Sequence, residues 1–359
     1  MNKLEILGLS KQYGDELALD EVSLAVAEGE FVTVLGRSGS GKTTLLRSIA
    51  GFIKPTAGNI RVAGRSVLDV PVNKRGIGVV FQNYALFPHL TVRQNVAYGL
   101  RLRRIPKHEI RERVEAQLDR VQLAKYADRT PAQLSGGQQQ RVAVARALIL
   151  EPEVMLFDEP FSNLDVRLRE SLRNELGQMH DRLGFTALFV THDQREALSL
   201  ADRVAVMDQG RLVQFATPQT IYNQPASSAV ATMLGRTNLF TGRVAGSNII
   251  EVEGQRLTIE TSAPLGAEVS VMVRPHRLRL VSAEGAARGP AGEFHAAGTV
   301  RSIEYHGATE AVLVDTDGRE LLLERPAEES TERTLDYGTR VDVRIPHSAF
   351  QVLESHPKQ

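Results

Sequence analysis

A lysine and a hydroxyl side by side at the end of a glycine-rich run are chemistry suited to phosphate. The stretch Gly36-Arg37-Ser38-Gly39-Ser40-Gly41-Lys42-Thr43 fits the phosphate-loop pattern G-x-x-x-x-G-K-[ST] at each defined position, and Thr44 follows it. Lys42 can reach the β- and γ-phosphates of a nucleotide, and the Thr43 hydroxyl can sit on Mg2+. The flanks agree. Phe31-Val32-Thr33-Val34-Leu35 is a short apolar, β-branched run that reads as a buried strand, and Thr43 to Ala50 reads as a helix stopped at Gly51. A glycine turn between strand and helix gathers backbone N–H groups and a helix N-terminus at one place, which favours an anion. The chain is therefore expected to bind a nucleoside triphosphate.

Two further runs bear on what is done with it. Val154-Met155-Leu156-Phe157 is an apolar strand ending in Asp158 and Glu159. Asp158 suits the Mg2+-associated acid of a phosphate-loop ATPase, and Glu159 stands where it could orient an attacking water. Leu134-Ser135-Gly136-Gly137-Gln138 precedes a run to Leu150 that reads as a helix. Its two glycines would let backbone approach an anion, and the positive end of the helix would lie at Gly137 and Gln138.

These residues need a framework. Residues 1 to about 235 alternate apolar strand-like runs with helical patterns, the signature of an α/β domain with buried strands. After Asp165, a plausible helix cap, Leu168, Leu172, Leu176, Met179 and Leu183 recur at steps of 4, 4, 3 and 4. Strand signals stop between about 85 and 150, where Ile110, Val114, Leu118 and Val121 mark an amphipathic helix. This reads as a helical insert. From 236 to 359 the character changes to short alternating runs, such as Glu268 to Val273 and Ala311 to Val314. A turn at Asp315-Thr316-Asp317-Gly318 leads into Glu320 to Leu323. A small all-β barrel is expected there, either as a ligand-free appendage or as a regulatory module. Ala283 to Gly292 reads as a flexible loop.

Composition narrows the classes. Lys+Arg and Asp+Glu are both 43 in 359 residues, so the formal net charge is zero and the basic face of a nucleic-acid binder is not expected. There is no cysteine, which removes disulfides and thiolate metal sites and fits the cytosol. No secretory signal is read at Met1 to Ile6, and no apolar run approaches the roughly 18 residues of a membrane-spanning helix. Any membrane role must come through a partner.

With Leu134 to Gln138 in place beside the phosphate loop, the first 235 residues resemble an ABC transporter ATP-binding subunit. The resemblance implies a P-loop NTPase fold with a helical subdomain and Leu134 to Gln138 as the family's signature sequence. It implies that Tyr13 stacks on adenine, the lesser alternative being an ordinary aromatic at a strand edge. Gln82, in Val79-Val80-Phe81-Gln82-Asn83-Tyr84, matches the glutamine that touches Mg2+ and senses the partner. Ser162-Asn163-Leu164-Asp165 matches the segment joining two nucleotide sites, and His192 the switch histidine facing the γ-phosphate. In such proteins ATP binds between two copies arranged head to tail, the phosphate loop of one facing the signature of the other. Integral-membrane permease subunits receive the work near Gln82 to Pro88, although Tyr84 and Phe87 could instead be local core. A solute-binding protein acts indirectly, and the subunit sits on the cytoplasmic face of the inner membrane. Val273-Arg274-Pro275-His276 and its surroundings resemble the C-terminal barrel (TOBE-like) of bacterial importer ATPases, with His276 where Glu is common. The loop from Lys74 to Pro88 looks most like spermidine/putrescine subunits, with ferric iron subunits close behind. Two other classes fit less well. A soluble ABC ATPase would carry a second cassette or a long coiled-coil insert, and a GTPase would carry N-K-x-D where Asn73-Lys74-Arg75-Gly76 stands.

Overall fold

The structure is a computed structural model that describes residues 1–162, 164–282, 292–327 and 335–353. Asn163 and all but the last residue of the Ala283 to Gly292 run lie outside the described residues. The chain divides into two compact units, Met1–Ile221 and Tyr222–Gln359.

The first unit is built on a six-stranded sheet. Its order is Arg211–Ala216, Arg203–Asp208, Phe31–Gly36, Ala187–Thr191, Val154–Asp158 and Ile77–Val80. Five strands are parallel, and the edge strand Arg211–Ala216 is antiparallel to its neighbour. Parallel strands need cover on both faces, because their crossovers lie over both. The side-chain alternation supplies it. Phe31, Phe157 and Phe189 point into one core with the helices, while Val32, Val34, Leu156, Leu188 and Val190 point into the other. The second core is closed by a four-stranded antiparallel sheet ordered Glu16–Ala27, Asn2–Tyr13, Ala57–Val62, Arg65–Ser66. That sheet extends the plain strand–helix alternation read from the sequence.

Helix Lys42–Ala50 follows the phosphate loop and ends at Gly51, whose N–H reaches the Arg47 and Ser48 carbonyls. Its last carbonyls also accept from Arg75: Nη1 lies 3.1 Å from Ser48 O and 3.0 Å from Ile49 O. A guanidinium at the negative end of a helix is favourable, so the Asn73 to Gly76 run has a structural task here. The helical insert contains Val92–Leu102, Lys107–Arg120 and Gly136–Leu148. Ile110, Val114 and Leu118 are buried as their spacing requires. Helix Val166–Leu183 starts where Asp165 accepts from the Leu168 N–H, and it buries Leu172, Leu176 and Met179.

The second unit is all-β after its first helical turns. Its strands lie in two five-stranded antiparallel sheets. One is ordered Gln255–Thr258, Ile249–Val252, Asn238–Gly246, Glu268–Val273, Gln351–Leu353. The other is ordered Arg279–Ser282, Arg340–Pro346, Glu293–Tyr305, Thr309–Thr316, Arg319–Pro326. One apolar core, including Phe240, Phe294 and Phe350, serves both. The turn at Asp317 and Gly318 has φ of 52° and 91° and pairs Thr316 with Arg319, the two-residue hairpin that Asp-Gly favours. The segment before the first strand belongs with this unit, since Ala231 packs on Met272 and Leu353.

Phe189 sits where the rings of Phe31, Phe157 and Phe161 meet, at centroid distances of 5.8, 6.0 and 5.5 Å. Phe189→Ala should destabilise the first unit by about 3–5 kcal/mol, read as a lower urea midpoint.

Candidate active site

The strands of the parallel sheet carry three candidate groups to one edge. Register pairs Leu35 with Thr191 and Asp158 with Val190, so Gly36, Asp158 and His192 emerge at nearly the same level. There a cleft of about 820 Å3 is lined by Tyr13, Ser38, Gly39, Gly41, Lys42, Thr43, Thr44, Glu159 and His192. It also takes in Glu16, Leu17, Ala18, Gln209 and Gly210. Those five come from a hairpin and from the turn after Arg203–Asp208. No motif marks them, since only the long-range sheet order brings them here.

Gly41 must be glycine. Its φ is +96°, and a Cβ there would lie 2.5 Å from the Ala18 carbonyl oxygen. Lys42 is 5% exposed, and its Nζ donates to Gly36 O and Arg37 O, both at 2.9 Å. Those carbonyls hold the ammonium over the loop. Gly36, Arg37 and Ser40 thus support the wall rather than form it, and Ser40 is itself buried. Burial pushes the Lys42 ammonium below its usual range, while Glu159 and Asp158 oppose the shift.

Glu159 has φ of +44°, and its N–H donates to Val190 O at 3.1 Å. Its Oε2 is 3.0 Å from His192 Nδ1. Ser162 Oγ donates to Glu159 O at 3.0 Å and ties down the following turn. Asp158 is half-buried. Burial raises its carboxyl above the usual carboxylate range; Arg47 and Lys42 pull it down, and Glu159 pushes it up. Gln82 is exposed in the turn after Ile77–Val80, outside the cleft wall. Thr43, Asp158 and Gln82 offer only oxygen donors from their hydroxyl, carboxylate and amide carbonyl, a set that suits a hard cation such as Mg2+. Tyr84 is buried in the helical core, which puts its hydroxyl at about 12. The Phe87 ring packs against Tyr98, tilted by 38° with centroids 4.3 Å apart.

The structure does not bring Ser135 to Gln138 into this cleft. Ser135, Gly137 and Gln138 line a separate hollow of about 410 Å3 with Lys125, Tyr126 and Arg141. Ser135 Oγ accepts from Gln138 N, and Gln138 Oε1 accepts from Ser135 N. This capping box leaves the Ser135 hydroxyl hydrogen free to donate. Gly137 has a reason beyond access for an anion: a Cβ would lie 2.7 Å from Leu172 Cδ2. In the second unit another cleft, of about 840 Å3, is lined in part by Arg274, His276, Arg277 and His347. Burial lowers both imidazoles, which favours their neutral forms.

The raised Asp158 carboxyl has a consequence for stability. A folded pKa above the unfolded one favours folding fully only below the unfolded value of about 3.8, and this contribution is lost as pH rises through the folded value. At pH 7 the ionised group therefore costs stability. Asp158→Asn should raise the nucleotide-free Tm at pH 7, with the gain vanishing toward pH 4. Thermal scans across pH check the sign.

Over residues 19–162 the chain matches the ABC transporter family, and over residues 271–353 the TOBE domain. It is 45% identical over 331 residues to a spermidine/putrescine import ATP-binding protein, PotA, of Nitratidesulfovibrio vulgaris, covering 89% of each chain. It is 48% identical over 285 residues to the PotA of Treponema pallidum, covering 76% of this chain and 75% of that one. It is 42% identical over 357 residues to an Fe(3+) ions import ATP-binding protein, FbpC, of Photorhabdus laumondii, covering 99% and 98%. Among solved structures it resembles cbiO1 of Clostridium perfringens, part of an ABC transporter complex, with TM-score 0.57 and 31% identity over 62% of this chain and 91% of that one. A dimeric ATP-binding cassette bound to ADP and Pi in a post-hydrolysis state matches with TM-score 0.51 and 34% identity, over 60% and 98%. Identity at this level, sustained over most of both chains, means that the protein belongs to the ATP-binding subunits of ABC transporters.

Proposed function

We propose that this chain is the ATP-hydrolysing subunit of a membrane importer for polyamines, working as a head-to-tail pair. One observation carries the reading. A single cleft gathers Tyr13, the phosphate loop, Glu159 and His192, while Ser135, Gly137 and Gln138 face a different hollow on the same chain. Two half-sites on one chain are completed by a second copy related by a twofold axis, which yields two identical sites.

In this reading Tyr13, 46% exposed, offers a ring face to adenine. The amides of Ser38 to Thr44 and the Lys42 ammonium take the phosphates. Thr43, Asp158 and Gln82 would hold Mg2+, which when bound with nucleotide neutralises charge on the β- and γ-phosphates. Glu159 orients a water in line with the γ-phosphorus and polarises it. Its carboxylate accepts from His192 Nδ1, so Nε2 of that ring can donate to a phosphate oxygen only when it too carries a proton. From the second copy, the Ser135 hydroxyl and the first amides of helix Gly136–Leu148 stabilise the remaining equatorial charge. ATP then joins the copies, and hydrolysis loosens them.

The work passes to integral-membrane permease subunits at the cytoplasmic face of the membrane, near the Gln82 to Pro88 turn. A solute-binding protein delivers cargo on the other side. No helix among the described residues is long and apolar enough to cross a membrane. The polyamine cargo rests on the similarity to the PotA relatives, which are spermidine/putrescine import proteins. Ferric iron is the second reading, favoured by the relative that matches over nearly the whole chain.

Glu159→Gln should keep ATP binding within about threefold but cut turnover by at least about 100-fold, the scale seen when one group that acts only in the transition state is removed. Size-exclusion chromatography with ATP should show the variant as a lasting dimer. Brisk hydrolysis by it would remove Glu159 from its role. Uptake of labelled putrescine and spermidine in cells of the source organism tests the cargo: loss in the Glu159→Gln strain supports polyamines, and unchanged uptake turns the reading to ferric iron.

A further inference from the structure

We infer that Arg169 is the positioning residue that sets His192 against Glu159, because one guanidinium holds the loops that carry both. The inference rests on the ATPase reading of the site and concerns a side chain outside the phosphate-binding cleft.

Arg169 lies in the first turn of helix Val166–Leu183, four residues after the cap Asp165. Its Nη2 donates to Leu164 O at 3.1 Å, the end of the turn that begins at Glu159. Its Nη1 donates to Asp193 Oδ2 at 3.1 Å, the residue after His192. Its Nε lies 3.8 Å from Glu196 Oε1. Two hydrogen-bond acceptors on two segments, with the Glu196 carboxylate beside them, thus meet one planar fork, a geometry that Lys with its single ammonium does not reproduce.

Each acceptor is fixed in turn. Asp193 Oδ1 accepts from Arg195 N and Glu196 N and so caps helix Gln194–Leu200. Glu196 is 3% exposed and accepts from Thr191 Oγ1, which itself accepts from Asp193 N at 2.9 Å. The residues on both sides of His192 are therefore anchored to the group that Arg169 holds. On the other loop, Leu164 N donates to Phe161 O, and Ser162 donates to Glu159 O from both its N–H and its hydroxyl.

The His192 side chain, by contrast, is 54% exposed, and its one hydrogen bond among the described residues is to Glu159. Such a ring cannot fix its own place. Its position follows from the backbone at Thr191 and Asp193, and its distance to Glu159 follows from how the two loops are spaced. Arg169 sets that spacing. A displacement of about 1 Å between groups acting on one phosphate is enough to cost on the order of 100-fold in rate.

The test uses the full chain and three variants: Arg169→Lys, Asp193→Asn, and the two combined. Arg169→Lys should bind a non-hydrolysable ATP analogue within about threefold of wild type and keep KM, while kcat falls on the order of 100-fold. Asp193→Asn keeps an acceptor in place but loses the ion pair, and should fall less. The double variant should be no worse than Arg169→Lys alone, as expected of groups acting through one contact. A folded Arg169→Lys with wild-type kcat, or losses that simply multiply in the double variant, would overturn the inference. A second readout needs no turnover. In a spectrum of 15N-labelled histidines, with His192 assigned by its removal, the His192 signal should shift or broaden in Arg169→Lys, and an unmoved signal overturns the inference too. Wild-type protein without Mg2+-dependent ATP hydrolysis would instead count against the ATPase reading, leaving the histidine signal to decide the positioning role.

Discussion

Parallel strands must all end on the same edge of their sheet, and the candidate chemistry depends on that constraint. Phe31–Gly36, Val154–Asp158 and Ala187–Thr191 are neighbours in register. Their last residues release the phosphate loop, the Asp158–Glu159 pair and His192 within reach of one cleft. Antiparallel neighbours would have sent one of these groups to the far edge. The parallel arrangement in turn needs apolar cover on both faces, which explains the strictly alternating use of Phe31 and Val32, Phe157 and Leu156, Phe189 and Val190. The helical core, the antiparallel sheet and the site are thus parts of one solution.

The edge is also where the fold accepts electrostatic cost. Lys42 is buried with two carboxylates near it, Asp158 is raised by burial, and Glu159 takes a left-handed backbone conformation that non-glycine residues seldom adopt. None of these helps the nucleotide-free chain fold. In the proposed reading they form a set of positive and oxygen-donor groups that would already be in place for a polyanion and its cation, leaving little reorganisation for the moment of reaction. Local rules broken at one edge, while the rest of the sheet obeys them, are what a functional site looks like.

What could be read from the sequence follows from range. The phosphate loop, the strand ending at Asp158, the Asp165 cap and the Ser135 helix start are contiguous, and each depends on neighbours a few residues away. The periodic faces of Val166–Leu183 and Lys107–Arg120 were legible for the same reason. The antiparallel sheet was harder. Asn2–Tyr13 and Glu16–Ala27 do alternate buried with solvent-facing residues, but bulges interrupt the pairing at Leu4, Leu9 and Lys11 and blur the period. Gln209 and Gly210 enter the cleft wall only because Arg203–Asp208 lies beside Phe31–Gly36. The ties of Arg169 to Asp193 and Glu196 join residues 24 and 27 positions apart, and no local pattern distinguishes that arginine from Arg167 or Arg173.

The Ser135 hollow carries the argument from one chain to two. A capped helix start still leaves some of its first amides without an intrahelical partner. Gly137 is forced by the close approach of Leu172, so the start of Gly136–Leu148 is clamped to helix Val166–Leu183. Arg141 and Glu175 add an ion pair at 3.0 Å across the same two helices. Helix Val166–Leu183 begins at Asp165 and carries Arg169 one turn later. In the proposed pair, then, phosphate bound at the Ser135 end of one copy would act on a helix whose own N-terminus braces Glu159 and His192 in that copy. One helix thus touches both half-sites of a chain, and any coupling between the two sites of a pair would act on contacts at its two faces rather than on the sheet.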